Sequence, residues 1–167
     1  MEVLTSNTER GRLFQGKCRE ALQLHFGENF LPEVKVQIAE NKWHSFDLAT
    51  EAKGIVAECK AFAFTASGNN PSAKITTLRE AVQYLRALSG SPTRLLLLKR
   101  DVHPTRGESL AEYFVRLNSY LLGDVNVLEM EEIGGPIRCL HGTKPAAGCG
   151  YCRPPRLDRA GVSRVGK

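Results

Sequence analysis

Asp47, Glu58 and Lys60 stand close enough along the chain to act as one group. On an extended segment residues two apart share a face, so Glu58 and Lys60 project side by side. Asp47 precedes them across a polar stretch ending in Gly54, which suits a hairpin turn centred near Ala52 or Lys53. Such a hairpin brings Asp47 opposite Glu58, with cross-strand Cβ atoms ~5 Å apart. Two carboxylates that close raise one another's pKa unless a positive charge lies between them. A divalent ion is the natural solution. Mg²⁺ takes one or two carboxylates together with waters and phosphate oxygens, lowers the pKa of a bound water and neutralises charge on a scissile phosphate. Lys60 beside it can orient or deprotonate the attacking water and hold the phosphate. The chemistry this set could do is phosphodiester hydrolysis. The competing reading is an exposed salt-bridge patch, disfavoured because a charged pair among apolar strand residues is costly to bury unless paired or metal-bound.

A second set of ligand-type residues lies further along, as Cys139-Leu-His141 and Cys149-Gly-Tyr-Cys152 with seven residues between the pairs. Four ligands at this spacing suit a structural Zn²⁺ held in a small knuckle, and metal binding would supply folding free energy to a fragment with little apolar core. The alternatives are a tail with reduced cysteines or a redox dithiol. Cys18 and Cys59 fall in apolar-patterned segments and read as small buried hydrophobes. His44 and His103 are isolated in the sequence and read as turn or surface histidines.

The elements that must position Asp47, Glu58 and Lys60 are legible in the apolar spacing. Residues 8–26 place Phe14, Cys18, Ala21, Leu22 and His25 on one helical face. Residues 33–38 alternate Val34, Val36 and Ile38 with polar positions, predicting a half-buried strand, and 43–49 and 55–64 read as a strand hairpin. The third strand is apolar on both faces apart from Glu58 and Lys60, as expected near the middle of a covered sheet. A polar loop over 65–74 follows the Glu58/Lys60 strand directly, where a loop serving a site would lie. Thr77 with Glu80 predicts a capping box for a second helix whose buried stripe is Leu78, Val82, Leu85 and Leu88. Residues 94–98 predict a short buried strand, 109–122 a third helix and 125–130 a last strand. The order is αβββαβαβ, an α/β mixed central sheet flanked by helices, with its site at strand ends. Gly134-Gly135-Pro136 reads as a boundary, giving a main domain over 1–133, a zinc knuckle over 134–152 and a basic, disordered tail over 153–167.

The chain has 167 residues, enough for one sizeable core; 42% hydrophobic and 25% charged residues exclude the disordered and fibrous classes. No apolar run approaches the ~20 residues a membrane span needs, so no membrane partner is expected. The first residues lack a basic leader and apolar core, which predicts an intracellular protein of the cytoplasm or nucleoid. The net charge of +5 is unevenly placed: from residue 138 onward seven Lys/Arg face one Asp, a net +6, while residues 1–137 hold sixteen against seventeen, a net −1. Basicity belongs to the tail, where Arg153 and Arg156 are candidate phosphate contacts.

Asp47, Glu58-Cys59-Lys60 and the αβββαβαβ order over residues 8–133 together resemble the PD-(D/E)XK nuclease superfamily, the restriction-endonuclease-like fold. Phe46 stands where the proline of the motif's name would be. The resemblance implies that Asp47 and Glu58 bind Mg²⁺ or Mn²⁺ with help from the backbone carbonyl of Cys59, while Lys60 serves the nucleophilic water. Many members carry an acidic residue on the first helix in a pattern like Gly-x-x-Phe-Glu; here Gly11-Arg-Leu-Phe14 is followed by Gln15, and Glu20 is the nearest substitute. Some members place a supporting glutamine on the second helix, which makes Gln83 a candidate beside Arg79 and Arg86 on the same polar face, itself otherwise readable as solvated. Lys74 and Arg79, beside the loop, are candidate contacts to DNA phosphates. The expected function is a divalent-metal-dependent endonuclease acting on DNA, alone, as a homodimer or within a larger DNA-processing complex. The alternative is a catalytically silent nucleic-acid-binding or assembly module of the same fold.

Overall fold

A computed structural model describes residues 6–142. Helix α1 (Asn7–Phe26) begins where the Ser6 hydroxyl accepts the Glu9 N–H at 3.2 Å and ends at Gly27, whose φ of 68° closes the last turn onto Gln23. Strands β1 (Phe30–Ala39) and β2 (Lys42–Thr50) form an antiparallel hairpin, and β2 turns through Lys53 into β3 (Ile55–Lys60). Helix α2 (Ser72–Arg86), strand β4 (Thr93–Lys99), helix α3 (Leu110–Leu122) and strand β5 (Val125–Met130) follow, and β6 (Arg138–His141) ends the described chain.

The six strands lie side by side in chain order. The β3–β4 and β4–β5 pairs are parallel and the other three antiparallel, so the fold is α/β, with a mixed sheet and three helices among the described residues. Both faces are covered, as the sequence predicts. Phe14, Cys18 and Leu22 of α1 pack with Leu48, Ala57, Leu95 and Leu97; Leu78, Val82 and Leu85 of α2 and Phe114 of α3 pack with Phe46, Val56, Leu96 and Leu98. The alternation of Leu95 and Leu97 with Leu96 and Leu98 shows why β4 is an unbroken apolar run: each face needs every second residue. Cys18 is fully buried, as expected for a small hydrophobe.

Three expectations are corrected. The β3 ladder ends at Lys60, not Phe64; the Phe64 N–H is instead taken by Asp101 Oδ2 at 2.7 Å, which directs the chain off the sheet. Helix α2 starts five residues before Thr77, whose hydroxyl donates to the Ala73 carbonyl within the helix, so Thr77 is no cap. Gly134-Gly135-Pro136 does not close the domain. Gly134 and Gly135, at φ of 90° and 124°, let the chain reverse; Ile137 is buried and Arg138–His141 pair antiparallel with β5. Cys139 and His141 therefore belong to the main sheet. Cys149, Cys152, Arg153 and Arg156 lie outside the described residues.

Among the described residues, no helix is long and apolar enough to cross a membrane.

Candidate active site

The β2–β3 ladder pairs Leu48 with Ala57 and Ala49 with Val56. One step further, where Asp47 meets Glu58, the strands part. The Asp47 carboxylate fills the gap: its Oδ2 accepts the Cys59 N–H at 2.7 Å and the Lys60 ammonium at 3.0 Å. Lys60 Nζ also lies 2.5 Å from Glu58 Oε2. One ammonium thus bridges two carboxylates on adjacent strands, the juxtaposition the residue spacing predicts.

The surroundings are unequal for the two acids. Glu58 is 3% exposed, whereas the side chains of Asp47 and Lys60 are each about one-fifth exposed at 21% and 20%. Burial pushes the Glu58 pKa up and the Asp47 charge adds to it, against the pull of Lys60 and His44. For Lys60 burial opposes the charge, but attraction to Glu58 and Asp47 outweighs it and the pKa rises. Lys60 is therefore an ammonium at neutral pH and can donate but not accept a proton. The half-buried Cys59 thiol is held well above the ordinary thiol range by its hydrogen bond with Cys18 and by desolvation, so it keeps its proton at neutral pH.

Four residues join this site without a signal strong enough to find them in the sequence. Gln15 of α1 donates from Nε2 to the Asp47 backbone carbonyl at 2.7 Å and to Glu33 Oε1 at 3.2 Å. The glutamine at the place of the expected helix-one acid thus braces Asp47, and β1 brings Glu33 within one side chain of it. Glu20 is not part of this group; it pairs with Lys17 at 3.2 Å on the exposed side of α1. His44 is a residue of β2 and no isolated surface histidine: its Nε2 lies 2.9 Å from Glu58 Oε1, and its ring stacks on Tyr84 of α2 with centroids 3.9 Å apart. The alternation of β2 could have placed His44 and Phe46 on one face, but nothing in the sequence gives the α2 residue opposite them.

On α2 it is Tyr84 that meets the site residue His44, while its neighbour Gln83 is exposed. Arg79 donates to Asn118 Oδ1 at 2.7 Å and Arg86 to the Leu121 carbonyl at 2.9 Å, so both brace α2 against α3. Lys74 donates to the Ala63 carbonyl at 3.1 Å, at the foot of the loop that follows β3. His103 is buried rather than superficial, and its Nε2 lies 2.7 Å from the Gly68 carbonyl at the tip of that loop. In β6 the Cys139 thiol faces the His141 carbonyl at 3.6 Å, and His141 Nε2 lies 3.4 Å from the Gly123 carbonyl.

Among the described residues no group of three or more His, Cys, Asp or Glu side chains is gathered to hold a metal ion. The donors of the β2–β3 site nevertheless suit a hard cation: two carboxylates, with both side-chain hydrogen bonds of Asp47 among the described residues falling on Oδ2. No family model matches the chain, and neither a curated protein nor a solved structure matches it.

Proposed function

We propose that this protein is a divalent-metal-dependent nuclease of the PD-(D/E)XK kind that hydrolyses phosphodiester bonds in DNA. The observation that carries the reading is the Lys60 ammonium lying against both Asp47 Oδ2 and Glu58 Oε2 at the point where β2 and β3 part. Asp47, Glu58 and the Cys59 carbonyl would hold Mg²⁺ or Mn²⁺. When bound, the ion supplies positive charge to the scissile phosphate and acidifies a coordinated water. Lys60, fixed as an ammonium by its two acidic neighbours, donates hydrogen bonds to the attacking water and to a phosphate oxygen. Gln15 keeps the Asp47 main chain against α1, so the carboxylate does not drift as substrate enters. Lys74 and the basic residues beyond 138 supply the phosphate contacts, since the chain up to 137 is itself slightly acidic.

The experiment is plasmid nicking by the full chain with Mg²⁺ or Mn²⁺. Wild type cuts, and Lys60→Ala loses at least ~100-fold, the scale of removing one charge-stabilising donor. Equal traces from both proteins would sink the catalytic reading.

One observation favours a silent nucleic-acid-binding or assembly module: Lys60 already balances much of the carboxylate charge without any ion. Calorimetric titration with Mg²⁺ separates the readings, because a silent module takes up no ion and binds DNA equally well in chelator.

We further propose a structural Zn²⁺ on Cys139, His141, Cys149 and Cys152, supported by the two-residue spacing of Cys139 and His141 on β6. Elemental analysis of protein purified without added metal should return one zinc per chain, lost on changing Cys152 to Ser. A homodimer or larger DNA-processing assembly is proposed as the working form, to be read by light scattering with and without DNA.

A further inference from the structure

His44 is a site residue to which the nuclease chemistry above gives no role. Its ring is fixed from two sides, face-on by Tyr84 at 3.9 Å with the planes 15° apart, and edge-on by Phe46 at 4.7 Å and 77°. Tyr84 is itself held, its hydroxyl donating to Glu80 Oε1 at 3.2 Å one turn earlier on α2. Nε2 points at Glu58 Oε1, an acceptor, so Nε2 carries the proton. Glu58 thereby receives one donor on each oxygen, His44 on Oε1 and Lys60 on Oε2. A carboxylate has about four lone-pair positions, so each oxygen keeps one free while the plane of the group is locked.

We propose that His44, clamped by Tyr84, is a positioning residue that fixes the Glu58 carboxylate in the orientation from which it ligates a divalent cation. It acts as a donor and not as a ligand: the ring nitrogen facing the site, Nε2, is taken up by Glu58 Oε1 at 2.9 Å. The role rests on the nuclease reading. Groups that orient a ligating side chain typically change metal affinity by 10–100-fold when removed.

The test uses Mn²⁺ as the probe and the full chain. His44→Phe keeps a ring against Tyr84 and Phe46 but has no N–H; His44→Gln keeps an N–H donor but loses the stacked ring. Calorimetry should show Mn²⁺ affinity weakened about 10–100-fold in His44→Phe and largely restored in His44→Gln. Thermal midpoints report whether either variant is merely misfolded. In nicking assays raising Mn²⁺ recovers most of the His44→Phe rate, an effect on the metal requirement and not on the rate at saturation. Nitrogen NMR of metal-free wild type should find the His44 proton on Nε2, its shift moving in Glu58→Gln. Wild-type Mn²⁺ affinity in His44→Phe, or His44→Gln as weak as His44→Phe, overturns the positioning role alone. Failure of wild type to bind Mn²⁺ overturns the nuclease reading and this role with it.

Discussion

Asp47 Oδ2 accepts the Cys59 N–H at 2.7 Å, so a side chain closes the β2–β3 ladder at the step where the two strands part. The same oxygen holds Lys60. Structure and charge placement at the site therefore depend on one atom.

Asp47→Asn keeps a carbonyl oxygen for the Cys59 N–H and should stay within about 1 kcal/mol of wild type, whereas Asp47→Ala leaves that N–H unpaired and should cost about 1–3 kcal/mol. Both should lose nicking. Urea unfolding beside the plasmid assay checks the pair; an alanine variant as stable as the asparagine one would remove the structural half of the claim.

Glu58 gives a pH signature. Its pKa is raised in the folded protein by burial and by Asp47, so its contribution to stability is fully present below the ordinary value of 4.5 and is lost as pH rises through the folded pKa. Glu58→Gln has no such titration. In chelator, the stability of Glu58→Gln relative to wild type should increase from pH 4 toward neutral. Thermal melts across that range test it, and a difference independent of pH would contradict the buried-acid account.

Arg94 is buried and donates from Nε to the Leu85 carbonyl, from Nη2 to those of Leu88 and Gly90, and from Nη1 to Pro92 and to Asp124. It thus donates to carbonyls at and just beyond the end of α2. Arg94→Ala should destabilise by about 3 kcal/mol or more, and Arg94→Lys should recover only part of it because an ammonium cannot reproduce the fork. Denaturant midpoints of the three proteins provide the comparison.

Arg94 also shows what a sequence cannot display. The apolar runs and alternation predicted the helices and five strands, because burial acts on each residue through its own side chain. The Asp47 to Glu58 apposition was equally legible, since a hairpin fixes its register from the turn outward. Contacts set by tertiary packing were not: His44 with Tyr84, Gln15 with the Asp47 carbonyl, and Arg94 at the end of α2 join residues whose approach no local pattern encodes. Strand β6 was missed because two glycines and a proline look like a boundary, when here they allow a reversal onto the sheet edge. The start of α2 was missed because Pro71 at its N-cap makes no side-chain hydrogen bond to advertise it.

His103 ties the loop after β3 to the segment before α3. Its Nδ1 accepts from the Thr105 and Arg106 N–H groups, and Nε2 faces the Gly68 carbonyl, so Nε2 carries the proton. His103→Ala should speed amide hydrogen exchange across residues 65–71 while the β4 and β5 amides stay protected. Gly68→Ala should loosen the same loop, since φ is +73° there and an added Cβ comes within 3.3 Å of His103 Nε2. Unchanged exchange in both variants would show that the loop is held elsewhere.

The central claim is that Asp47 and Glu58 hold a catalytic divalent ion. Its most direct test is anomalous X-ray scattering from crystals of the full chain soaked in Mn²⁺. The account predicts a manganese peak within ligating distance, about 2.0–2.3 Å, of an oxygen on each of Asp47 and Glu58, with the Lys60 ammonium turned aside from one of them. Crystals saturated with Mn²⁺ that show no peak there, and Lys60 still bridging both carboxylates, would contradict it.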